Sequence, residues 1–119
     1  MDDSILITIK KLIGGLMKES TDFNIDLITY INSSFSKLNQ LGIGPDEGFS
    51  IIGSDEVWSD YSDNKIIVDL VKSYVYVNVK LLFDPPGNSF TVEALKSLEQ
   101  EYSWRLSVLS DEFKKKNVS

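Results

Sequence analysis

The sequence contains no cysteine and no histidine. Without cysteine there is no disulfide framework and no thiolate metal site. Without histidine the commonest zinc ligand and the commonest general base are missing, and no nucleophile–base pair of the Cys–His or Ser–His kind can be assembled. An excess of basic residues is also lacking. The net charge is −6, the opposite of the balance expected for a nucleic-acid binder. Long apolar runs are absent too. The apolar patch at residues 4–17 is interrupted by Lys10 and Lys11. It is too short to span a bilayer and lacks the unbroken core of a signal peptide, so the expected setting is cytoplasmic, with no membrane partner. The glycine-rich stretch "GIGPDEG" lacks the lysine and the strand-to-helix context of a phosphate loop. The pairs Asp55–Glu56 and Asp60/Asp63 do not match a calcium loop with its central glycine and closing glutamate. No catalytic residue, cofactor or metal is expected, and the chain does not read as an enzyme.

What is present is a chain of 119 residues, 42% of them apolar, the size of one domain with a core of its own. Ile5, Ile9, Leu12, Ile13 and Leu16 recur at helical spacing, which predicts a first helix over Ser4–Lys18 with a cap at Asp2, Asp3 or Ser4. After Thr21 or Asp22 as a second cap, Leu27, Ile28, Ile31, Phe35, Leu38 and Leu41 predict a second helix closed by Gly42. Residues 64–83 pull in two directions. "SYVYVNVKLLF" is rich in β-branched and aromatic residues, as a strand would be. Yet Ile67, Leu70, Val71, Tyr74, Val77 and Leu81 keep helical spacing, and the stretch is too long for a strand without a turn. A helix is predicted, capped by Ser62 or Asp63 and buried on most of its faces because it is apolar on most of them.

In "LLFDPPGNSF" (81–90), Pro85 disfavours helical angles at Asp84, and neither Pro85 nor Pro86 has an N–H to donate. Asp84, Pro85 and Pro86 are therefore a structural corner. A last helix starts at Asn88 or Ser89, with Leu95, Leu98, Tyr102, Leu106 and Leu109 as its stripe and Glu101–Arg105 as an i, i+4 ion pair. The short connection predicts that the two helices pack antiparallel. The expected fold class is all-α: a small bundle of four main helices with a long, partly ordered loop between helices two and three. Residues 1–110 are expected to form the domain and 111–119 a flexible basic tail.

The long loop carries the charge. Between Pro45 and Asp69 there are seven acids and one base, which accounts for the whole net charge of −6. Loops of this length in compact domains are usually functional or mobile, and the aromatic residues here argue for order. Asp46, Glu47, Phe49, Asp55, Glu56, Trp58 and Tyr61 are the candidate protein-interface residues. The acids would face a basic partner or repel DNA in a channel. The aromatics would either seal the loop onto the core or contact a neighbouring subunit. A solvated acidic loop is the plain alternative.

The segments "ILITIKKLIG" (5–14), "LNQLGIGPDEGFSI" (38–51), "VKSYVYVNVKLLFDPP" (71–86) and "WRLSV" (104–108) occur in this order across nearly the whole chain. Together they resemble the head–tail connector family of tailed bacteriophages, the DNA-packaging or head-completion adaptors found on phages and prophages of Gram-positive bacteria. The motif around Asp84, Pro85 and Pro86 is the most specific part. The resemblance implies an all-helical structural subunit in the virion neck, assembled in the host cytoplasm. It implies a ring of neighbouring copies, twelve-fold, beneath the portal protein. Such a ring extends the DNA channel, lets DNA pass without sequence-specific binding, and docks a neck or tail completion protein. The competing expectation is a small soluble helical interaction module or regulator that binds one protein through its acidic loop.

Overall fold

The structure, a computed structural model, describes the backbone of residues 3–14 and 21–118 and the side chains of those up to Asp111. Five helices follow in order among the described residues: α1 (Ile5–Ile13), α2 (Asn24–Gln40), α3 (Trp58–Tyr61), α4 (Lys65–Phe83) and α5 (Ser89–Val118). Four are substantial, no strand is formed among the described residues, and the all-α bundle expected from periodicity is the fold.

Local chemistry explains most of the boundaries. The Ser4 hydroxyl accepts from the Ile7 N–H at 3.2 Å and starts α1. That helix ends at Ile13, short of the expected Lys18, because Gly14 takes the C-cap and its N–H bonds the Lys10 carbonyl. The rest of the predicted span, residues 15–18, lies outside the described residues. At the start of α2 neither Thr21 nor Asp22 is the N-cap. Phe23 stands there without a side-chain cap, and its ring meets Phe83 edge-on at 5.7 Å. Packing replaces capping at that end.

The other end of α2 closes as predicted. Gly42 has φ of 81° and donates to Asn39, while the Ile43 N–H reaches back to Leu38 at 3.0 Å. This pair of bonds satisfies the last carbonyls of the helix and requires a left-handed residue between them. Ile43 is then drawn into the core beside Leu38.

Residues 65–83 form a helix throughout, so periodicity overrides local β propensity. Asn64, not Ser62 or Asp63, is the cap, with Oδ1 accepting from Ile66 and Ile67. α4 is the central element. It buries Val68, Leu70, Val71, Tyr74, Val75, Val77, Asn78 and Val79 against the other helices. α5 runs back along it: Asn78 meets Glu99 near the corner, and Leu70 lies by Tyr102 and Leu109 farther on, an antiparallel register. Asn88 caps α5 by accepting from Thr91. α5 continues to Val118, through the segment set apart in the sequence as a tail.

One buried polar thread crosses the bundle. The Ser34 hydroxyl lies 2.8 Å from Asn78 Oδ1, and the Asn78 amide donates to the Glu99 carboxylate, tying α2, α4 and α5 together. Buried polar groups are costly unless partnered, so this thread also fixes how the three helices sit against one another.

Candidate functional site

Residues 42–57 have no regular structure, yet side chains hold them to the bundle. Asn32 on α2 clamps the middle of the loop from both sides of one residue: its Oδ1 accepts from the Ile51 N–H at 2.8 Å and its Nδ2 donates to the Ile51 carbonyl at 2.9 Å. The Ile51 side chain is 1% exposed. Asn39 reaches the Pro45 carbonyl at 3.1 Å. At the far end the loop pairs with the start of α1. Val57 and Ser4 form an isolated antiparallel bridge, flanked by bonds from Ile5 N–H to the Glu56 carbonyl and from Trp58 N–H to the Asp3 carbonyl.

The three aromatic candidates face inward. Trp58 is 0% exposed. Its indole N–H donates to the Thr8 hydroxyl at 3.1 Å, that hydroxyl donates to the Ser4 carbonyl, and the Lys72 ammonium sits 5.5 Å from the ring centre. Tyr61 is buried against Phe35, with ring centres 5.0 Å apart, and burial pushes its hydroxyl pKa well above the usual phenol range. Phe49, half-buried, packs edge-on against both Phe35 and Tyr61. In this subunit these side chains seal the loop onto the core, the first of the two roles weighed for them. The short helix α3 carries Trp58 and Tyr61 into the core. Sequence reading missed it, because four residues hold no periodic signal.

The four acidic candidates divide. Glu56 turns back and accepts from the Ile52 N–H at 2.6 Å, with Gly53 N–H at 3.4 Å, so it braces the loop from within. Asp46, Glu47 and Asp55 are exposed. The loop is thus a platform braced by hydrogen bonds, with the Asp46, Glu47 and Asp55 carboxylates outside and the aromatics inside. Asp60, counted among the same acids, accepts from the Val57 N–H at 2.9 Å and caps α3. Among the described residues no group of three acids converges as a metal site requires.

At the corner, Asp84 leaves helical angles with φ −142° and ψ 64°, and its carboxylate takes the Lys80 ammonium at 2.7 Å. Phe83, the last residue of α4, lies beneath Phe23 and Tyr30 of the α2 end. The corner therefore sets the α4–α5 junction and rests on a third helix.

A second surface escaped the sequence reading. Ile66, Leu70, Tyr102, Trp104, Val108 and Leu109 line an open groove between α4 and α5, with Asp69 and Arg105 among them. Trp104 is 67% and Ile66 64% exposed. The expected Glu101–Arg105 pair is not formed: Arg105 turns to the groove and makes no ion pair among the described residues. The signal was there in register, since Trp104 falls off the stripe through Tyr102 and Leu106 and so must point away from the core.

No helix among the described residues is long and apolar enough to cross a membrane. Comparison with curated proteins and with solved structures gives no significant match. One family profile does match, described as phage connector protein, and it covers residues 5–112. It spans α1, α2, α4, most of α5, the acidic loop and the proline corner, and on that extent the chain belongs to the phage connector protein family.

Proposed function

We propose that this chain is a head–tail connector subunit. Copies of it stand in a ring beneath the portal protein, twelve-fold by family resemblance, and the ring prolongs the DNA channel and receives a neck or tail completion protein. The observation that carries this reading is the family match over residues 5–112. The charge pattern is consistent with it: an acidic chain does not retain the DNA that passes through it.

The acidic platform is assigned to the portal side, where exposed Asp46, Glu47 and Asp55 meet a basic rim and steer docking. Phe49, Trp58 and Tyr61 hold the platform in shape, and Glu56 braces it, so that its carboxylates are presented without an ordering cost at the moment of binding. The corner at Asp84, Pro85 and Pro86 sets the α4–α5 angle on which the ring surface depends.

The test is copurification with the portal protein, wild type against a variant carrying Asp46→Asn, Glu47→Gln and Asp55→Asn. Binding to the portal is expected, weakened severalfold in the variant at low salt and less so at high salt, where charges are screened. Absence of wild-type binding to the portal sinks the reading in favour of a small interaction module. Wild-type affinity in the variant, with DNA delivery impaired, moves the acids to the channel wall.

A further inference from the structure

The middle of the loop carries an apolar knob. Ile52 is 89% exposed, although the residue before it is buried and clamped by Asn32. The Ile52 and Gly53 N–H groups are both turned toward the Glu56 carboxylate, which fixes the backbone beneath the knob. Exposed Asp55 stands three residues on. Elsewhere on the same subunit lies the α4–α5 groove, whose walls include exposed Ile66, Trp104 and Val108. Asp69 in that groove is paired with Lys65 at 3.1 Å, so Arg105 supplies its uncompensated charge among the described residues. Knob and groove are complementary in kind, an isoleucine beside a carboxylate and an aromatic cleft beside a guanidinium. Neither is satisfied within its own chain, since Ile52 and Trp104 are both left largely in water.

We propose that the occupant of the groove is a second copy of this chain: Ile52 of one subunit enters the α4–α5 groove of the next, and Asp55 meets Arg105. A tryptophan wall around an apolar knob is the composition of an interface hot spot, and a pre-braced loop loses little freedom on insertion. The contact uses two different patches, so each copy offers one knob and one groove. Such a heterologous contact repeats without limit unless rotation closes it into a ring. The inference rests on the proposed ring and names the surfaces that join its subunits.

The chain has no native cysteine, which makes thiol trapping specific. Ser54→Cys lies beside the knob and Ser73→Cys lines the groove; both leave Ile52 and Trp104 intact. The two full-length single variants are mixed and treated with a short thiol–thiol cross-linker. The mixture is expected to give at least tenfold more dimer than either variant alone. A chain carrying both changes is expected to give a ladder of oligomers. Adding Ile52→Asp to the Ser54→Cys chain is expected to abolish the dimer, with an unchanged circular dichroism spectrum as the check on folding. Arg105→Glu on the groove chain is expected to reduce it severalfold, and Asp55→Arg on the knob chain to restore it. Equal trapping in mixed and unmixed samples, no trapping, or trapping indifferent to Ile52→Asp overturns the contact. Closed rings that form without this adduct overturn the contact and leave the ring standing. The adduct in open filaments upholds the contact and overturns the ring.

Discussion

The Tyr61 hydroxyl occupies the space that a side chain on Gly44 would need: a Cβ built there meets the hydroxyl oxygen at 2.6 Å and ring carbon Cζ at 2.8 Å. Gly44 also has φ of 91°, a conformation that residues with a Cβ rarely adopt. Gly44→Ala is expected to destabilise the protein by about 1–3 kcal/mol through strain and displaced packing. Urea unfolding measures it, and an unchanged midpoint would mean that the loop yields at no cost.

The same hydroxyl is buried with no hydrogen-bond partner among the described residues. Removing a buried unsatisfied polar atom while keeping the ring is expected to be neutral or stabilising, by up to about 1 kcal/mol. Tyr61→Phe tests this by thermal unfolding, and a marked loss of stability would reveal a partner for the hydroxyl.

Alkaline pH is expected to unfold the protein through its buried tyrosines. Burial, with Glu99 nearby as the second cause, raises Tyr74 from 10.0 to about 12. Above pH 10 the unfolded chain releases this proton while the folded chain keeps it. Stability is therefore full below pH 10 and falls as pH rises toward 12, at up to about 1.4 kcal/mol per pH unit for one such group. Tyr61 is shifted in the same direction and adds to the slope. Urea midpoints between pH 8 and 11.5 follow the loss, and Tyr74→Phe is expected to flatten it.

Asn78 joins Ser34 to Glu99 in the interior. Asn78→Ala leaves the Ser34 hydroxyl with the Tyr30 carbonyl alone and takes from the half-buried Glu99 carboxylate its Asn78 donor, and is expected to cost about 1–3 kcal/mol. A double-mutant cycle with Ser34→Ala is expected to show coupling of about 0.5 kcal/mol or more, as for directly bonded neighbours. Additive losses would mean that the thread does not act as a unit.

Replacing both Pro85 and Pro86 by alanine is expected to loosen the corner and lower stability by about 1–3 kcal/mol, within the range for backbone changes. Retained melting temperature together with retained assembly would show the prolines to be incidental.

Periodicity made the long helices legible because each buries one face over several turns. The hardest stretch, residues 64–83, resolved in favour of spacing over propensity, since a helix buried along most of its length can hold Val75, Val77 and Val79 where packing rewards their shape. The proline stop was legible because it is covalent chemistry. Caps were less so: Ser62, Asp63 and Asn64 are all capping residue types side by side, and only Asn64 takes the Ile66 and Ile67 N–H groups, while Phe23 stands at its helix end with its ring packed on Phe83, which neighbours in sequence do not reveal. The order of the loop could be read from its aromatics, but not that they would turn inward while Ile52 turned outward. That depends on Asn32 and Glu56 bonding backbone groups up to 19 residues away. The groove is a property of two helices together, and no single stretch contains it.

The two tryptophans give the protein a pair of built-in optical probes. Trp58 is sealed under the loop at 0% exposure and Trp104 stands in the groove at 67%. Emission from the first should be blue-shifted and indifferent to iodide, and from the second red-shifted and readily quenched. Detachment of the platform would redden the blue component, while occupation of the groove would shield the red one. A single fluorescence titration can thus tell a loosening loop from a filling groove without any label.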